Sequence, residues 1–151
     1  MTSARIETLL ASFIAVLALF AAGAGILWQG TGEPYSFTTL RGETVQIRGH
    51  GLYRHDTVNS AAQETGQDIV TLIVGIPLLV AGIVLTRRNS LRGRLLLTGV
   101  LGYFLYTYAS MSFLTAFNEL FLVYVALFSL SLFGFILALS GIDPDEVMQH
   151  V

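Results

Sequence analysis

The chain has 151 residues and contains neither cysteine nor lysine, and charge of either sign is scarce at 12%, where an ordinary soluble domain carries about 25%. The lack of cysteine excludes a disulfide framework, a thiolate metal site and cysteine redox chemistry. The eight basic residues are all arginine, the formal net charge is −2, and no basic run lies outside one turn and its flanks, so nothing resembles a nucleic-acid footprint. There is also no glycine-rich phosphate loop, no His-Glu-x-x-His and no Gly-x-Ser-x-Gly. No repeat, low-complexity tract or inverted symmetry between the halves appears, which leaves little support for a transporter of paired repeats. No cofactor or metal is expected.

What is present is apolar, 54% of residues, gathered into four runs at about 8–28, 69–86, 95–114 and 119–140. Each is close to the roughly 20 residues that cross a hydrocarbon core. The expected fold is therefore membrane all-α, a single integral domain over 1–151 built as a four-transmembrane-helix bundle. Orientation follows from Arg87 to Arg94, which puts four arginines into one short connection that stays in the cytoplasm. Segment 29–68 then lies outside, the tail 141–151 lies inside, and both termini share the cytoplasmic side of a multi-pass protein in the cell membrane.

Small residues mark the helix faces expected to meet. Ala11, Ala15, Ala18, Ala22 and Gly25 draw one stripe on the first span, and Thr71, Gly75, Gly82 and Thr86 one on the second. Ala22-Gly23-Ala24 also has the form of a signal-peptide cleavage site, although the apolar run exceeds the 7–15 residues of an ordinary h-region. Asp68 is placed as an N-cap of the second span, and Pro77 predicts a kink within it. In the third span Gly99, Tyr103, Tyr106 and Ser110 share a face. In the fourth, Tyr124, Ser131 and Ala138 lie seven apart, with Gly134 and Gly141 on the same side. Hydroxyls on the last two spans are expected to satisfy one another in a dry seam. The competing reading makes Tyr103, Tyr106, Ser110, Tyr124 and Glu119 the wall of a small-molecule or ion path.

Segment 29–68 turns polar, and Tyr35 to Leu40 and Glu43 to Arg48 alternate around Arg41-Gly42, which predicts a β-hairpin. Leu52 to Asp56 is read as a short third strand, and Ser60 with Gln63 as the capping box of a short helix. Two clusters hold the candidate site residues. The first is His50, Tyr53, Arg54, His55 and Asp56, a set that would suit a divalent metal or acid–base chemistry. Strand residues five apart face opposite ways, however, and Arg54 repels a cation, so a surface hydrogen-bond cluster is the preferred account. The second is Asn118 and Glu119, a helix cap and a carboxylate at the favourable end of the dipole. Glu119 is expected to pair with Arg48 or Arg54 and clamp the outer segment to the bundle; a ligand site there is the alternative.

The succession Gly51-Leu52-Tyr53-Arg54, Asp68 before the Pro77 span, the Arg87 to Arg94 turn, Tyr103-Phe104-Leu105-Tyr106-Thr107-Tyr108-Ala109-Ser110 and Asn118-Glu119-Leu120-Phe121 resembles a group of prokaryotic four-span membrane proteins. That resemblance covers most of the chain and implies a topology, not an activity. In layout alone the chain is similar to the claudin family, with Trp28 and Gly51-Leu52-Tyr53 only loosely comparable to that family's pattern and its cysteine pair absent. The expected function is a non-enzymatic membrane protein that binds a partner protein, a second copy or a lipid, with no nucleic-acid partner. A transporter or channel subunit is the alternative, and a membrane enzyme using His50, His55 and Asp56 ranks third.

Overall fold

The computed structural model describes residues 3–143 and residue 148. Helix α1, Ser3–Leu27, turns its small-residue stripe inward: Ala11, Ala18 and Ala22 are fully buried, while Phe13, Val16 and Phe20 face out. Strands β1, Tyr35–Thr38, and β2, Thr44–Ile47, pair antiparallel with Tyr35 opposite Ile47 and Phe37 opposite Val45. Their turn closes through the Gly42 amide, which donates to the Thr39 carbonyl at 2.9 Å; the Gly42 φ of 83° suits a residue without a Cβ. The expected third strand does not form. Ile47 makes one isolated bridge to Thr57, and the residues between them turn tightly, because Gly49 and Gly51, at φ 77° and 75°, fold the chain back onto the bundle.

The helix that carries the second apolar run begins earlier than expected. Thr57, and neither Ser60 nor Asp68, is the N-cap; its side chain accepts from the Ser60 amide at 3.2 Å and opens α2, Val58–Val70. The helix then continues through a π turn, Thr71–Gly75, into α3, Ile76–Arg87, so that one helix of 30 residues replaces the separate short helix and span. Gly66 does not break it. At Pro77 the expected disturbance takes the form of that π turn, in which the Ile76 amide bonds the Thr71 carbonyl five residues back, just before the residue that has no amide.

The arginine-rich connection shortens to three residues, 88–90, with Asn89 at φ 55°, and Ser90 caps α4, Leu91–Phe113. Arg92 and Arg94 therefore sit in the first turn of that helix. Close approach explains the tightness: a Cβ on Gly93 would lie 2.5 Å from the Leu85 backbone. After residues 114–120, α5 runs Phe121–Ser140. Helix α1 packs on α3 and α5, and α4 packs on the same two, so the four long helices form a closed bundle.

The phase of α4 is a correction to the sequence reading. Leu97, Leu101, Phe104, Tyr108 and Met111 face the core, and Gly99 and Tyr106, at 71% exposure, face away. These large side chains follow helical spacing and bury more apolar area than the glycine and tyrosine face offers, so they set the rotation. On α5, Tyr124, Ser131, Gly134 and Ala138 are buried as a stripe, but Gly141 is exposed.

Four helices, Arg5–Leu27, Val58–Arg87, Leu91–Phe113 and Phe121–Ser140, are long and apolar enough to cross a membrane. The hairpin stands between the first two, at one end of the bundle; the 88–90 turn marks the other end.

Candidate functional site

The hairpin end contains a buried polar assembly centred on Asp68, which is 2% exposed in the middle of the long helix. Helix α1 leaves room for it. A Cβ on Gly25 would lie 1.8 Å from Asp68 Oδ2 and 2.9 Å from the Tyr53 hydroxyl. Tyr53, held by the turn after Gly51 and 1% exposed, donates its hydroxyl to Asp68 Oδ2 at 2.6 Å. Burial pushes the Tyr53 phenol far up, so it stays a proton donor and Asp68 is the acceptor. The Tyr124 hydroxyl stands 3.4 Å from that of Tyr53, and its ring stacks on Tyr108 at 6.3 Å, with Phe104 stacked beyond.

A second branch joins the long helix to α4. Gln67 Nε2 donates to the Tyr103 hydroxyl at 3.0 Å and to Thr107 Oγ1 at 2.8 Å, and Thr71 Oγ1 lies 2.9 Å from the same tyrosine oxygen. The expected exchange of hydroxyls between the third and fourth spans does not occur. Tyr103 bonds the long helix, Tyr124 meets Tyr53, and Ser131 is buried with its hydroxyl lacking a partner among the described residues.

The remaining contacts tie the cap down. Arg48 Nη1 donates to the Ala61 carbonyl at 3.1 Å and to Thr65 Oγ1 at 2.9 Å, fastening the end of β2 to α2. Asp56 Oδ1 accepts from the Ala116 amide at 2.8 Å, and burial pushes the Asp56 carboxyl above its usual range. Of the two partners considered for Glu119, the structure selects Arg54, in a half-exposed ion pair. The hydrogen bond between them raises the arginine and lowers the carboxyl. Asn118 is not the cap of α5, whose N-cap is Leu120; its Oδ1 accepts from the Leu120 amide at 2.9 Å, and its side chain also hydrogen-bonds Tyr124.

The first candidate cluster is thereby divided among several places. His50 lines a cavity of about 240 Å³ with Trp28, Arg48, Tyr53 and Thr65, and its Nδ1 is buried without a partner among the described residues. His55 lies with Arg54, Asn118 and Glu119 around a separate hollow of about 240 Å³. Among the described residues no three histidine or carboxylate groups gather as a metal site. Tyr106 and Ser110 border a cleft of about 300 Å³ between α4 and α2, with Gln63, Glu64 and Gln67, and not a seam with α5.

Asp68, Gln67, Thr71, Thr107 and Gly25 are the residues that sequence reasoning did not assign to a site. One signal pointed to them. Gln67 and Thr71 are four apart, and a helix read continuously from Thr57 puts them on one face. Chemically, the assembly offers hydrogen-bonded hydroxyls and an acceptor carboxyl, and among the described residues no nucleophile has a base behind it. Toward the 88–90 turn Ile14, Leu79, Leu97, Leu101 and Leu127 are fully buried, and the polar Ser131 and Thr98 are buried there as well. Compared with family models, characterised proteins and solved structures, the chain matches none.

Proposed function

We propose that this chain is a non-enzymatic, multi-pass protein of the prokaryotic four-span kind, placed in the cell membrane with both ends in the cytoplasm, that binds a partner protein through its extracytoplasmic cap. Membrane placement is supported by the outward faces of the long helices, where Phe13, Ile73, Val80, Leu122 and Phe133 are exposed around the bundle; lipid accommodates such a surface and water does not. Arg5, Arg87, Arg88, Arg92 and Arg94 at the end away from the hairpin support the orientation.

The observation that carries the binding role is the partly uncovered apolar side of the hairpin. Tyr35 and Phe37 are half exposed and Leu40 is fully exposed at its turn, although the end of β2 is fastened to α2 by Arg48 and to Asp56 by the Arg48 amide. A two-stranded ribbon is marginal alone, and β1 offers an open edge as well as this face. An aromatic face on an anchored ribbon is suited to a protein partner, by added strand or by apolar contact. The fully buried layer of Ile14, Leu79, Leu97, Leu101 and Leu127 below Thr71 gives no support to conduction through one bundle.

The reading is tested with a photo-reactive side chain at Phe37 or, on the opposite face, at Gln46 in native membranes. Discrete protein adducts from Phe37 alone are expected; equal or absent labelling at both positions would remove the binding face. In the same membranes Thr44→Cys should react with an impermeant thiol reagent and Ser90→Cys should not, and the reverse pattern would invert the topology.

A further inference from the structure

The end of the bundle away from the hairpin holds a further cavity that the partner-binding role does not use. It is an open groove of about 770 Å³ between the start of α1 and the end of α3, lined by Arg5, Thr8, Ser12, Phe13, Thr86 and Arg87 among others. Its chemistry is divided along its length. Two exposed arginines, one from each helix, stand at the chain-terminal end, and Leu9, Phe13 and Val16 carry an exposed apolar strip from there along α1.

The hydroxyls differ in what they have free. Thr8 Oγ1 donates to the Arg5 carbonyl and Ser12 Oγ to the Thr8 carbonyl, at 3.2 and 2.7 Å, so their protons are committed. Thr86 is 3% exposed, and its hydroxyl has no partner among the described residues. No carboxylate lines the groove among the described residues. Glu7, the acid nearest on α1, is 4% exposed and turned to α5, where its Oε1 lies beside Gly141.

We infer that this groove binds an anionic phospholipid of the inner leaflet, its phosphate held between Arg5 and Arg87 and an acyl chain laid along Phe13 and Val16. The inference rests on the membrane placement proposed above. Guanidinium groups pair with phosphate through paired donors, and basic pockets between helices on the cytoplasmic side are suited to acidic headgroups. That no carboxylate lines the groove among the described residues separates the headgroups. Choline or ethanolamine would bring an ammonium beside two guanidinium groups with nothing to receive it, whereas a glycerol headgroup brings hydroxyls that the Thr86 side chain can meet.

The test reconstitutes the full chain in phosphatidylcholine nanodiscs that contain phosphatidylglycerol as a minor component, then identifies retained lipid by native mass spectrometry. Phosphatidylglycerol should be enriched over its share of the bilayer. Arg5→Gln and Arg87→Gln should each lower that enrichment by about fivefold, and Arg41→Gln, on the hairpin turn, should not. Thr86→Val should reduce it without loss of helix content. Absence of enrichment in the wild type, or retention of it in both groove variants, would overturn the site, as would displacement of the lipid by soluble glycerol phosphate, which would make the groove a site for a free anion. Alkaline extraction of the same preparations separates the two levels: a chain that stays in the bilayer without lipid preference loses only the lipid site, and one that washes off loses the membrane placement as well.

Discussion

Gly25 of α1 and Asp68 of the long helix meet so closely that a Cβ on the glycine would lie 1.8 Å from the carboxylate oxygen. The first prediction follows from this geometry. Gly25→Ala must displace either Asp68 or α1 and should destabilise the protein by about 3 kcal/mol or more, as an overpacked site with a disrupted buried hydrogen bond. Gly23→Ala, with nothing within 4 Å of the new methyl, should be neutral or stabilising by about 0.5–1 kcal/mol. Reversible unfolding in mild detergent measures both, and equal effects would mean that the Gly25 contact is not the cause.

Tyr53→Phe removes the hydroxyl that donates to Asp68 and leaves a buried carboxyl without that donor, which should cost about 1–3 kcal/mol. Tyr106→Phe should cost almost nothing, since that side chain is exposed and outside the core. Unfolding of the two variants side by side would show whether the polar assembly contributes to stability or only occupies space.

Asp56 and Glu119 should contribute to the pH response of the cap with opposite signs. Burial raises the folded Asp56 carboxyl above its ordinary 3.8, so its contribution to stability is greatest below that value and declines as pH rises through the folded pKa. The pairing with Arg54 lowers Glu119 below its ordinary 4.5, so its contribution is present above that value and is lost as pH falls through the folded pKa. Asp56→Asn should abolish the first component while Asn Oδ1 still accepts from the Ala116 amide; Glu119→Gln should abolish the second, a small and salt-sensitive effect for an exposed pair. Melting curves from about pH 3 to about pH 7 separate them, and unchanged slopes in both variants would contradict the assignment.

Close approach of α3 and α4 gives a fourth prediction. Gly93→Ala places a methyl 2.5 Å from the Leu85 backbone and should open the 88–90 turn. Gly99→Ala meets nothing within 4 Å and should stabilise by about 0.5–1 kcal/mol through helix propensity. A loss at Gly99 comparable to that at Gly93 would restore the seam expected from the spacing of Gly99 and Tyr103.

Local chemistry made much of this legible from the residues. The stripe from Ala11 to Gly25 faces inward because small side chains at helical spacing are worth burying only against another backbone. The hairpin was readable because alternation and a glycine turn are short-range signals. Three features were not readable. Asp68 looked like a cap because it precedes an apolar run, but the helix was already capped at Thr57, and Asp68 sits in a space that another helix leaves empty. The polar face of α4 suggested a seam, but rotation about a helix axis is decided by total apolar area, which Leu97, Phe104 and Met111 supply. The separation of His50 and His55 was expected, but from a strand; the chain instead reverses at Gly51 and sends them to different hollows.

The sequence alone determined that four apolar runs would form long helices around a small hairpin, because backbone hydrogen bonds and side-chain periodicity are settled within a few residues. It also determined which end of the bundle is basic. Only the tertiary structure decided which hydroxyls and carboxyls find one another: Tyr53 with Asp68, Gln67 with Tyr103, Arg54 and not Arg48 with Glu119. Those pairings depend on helix rotation and on gaps left by glycines in other elements, quantities that no single segment contains.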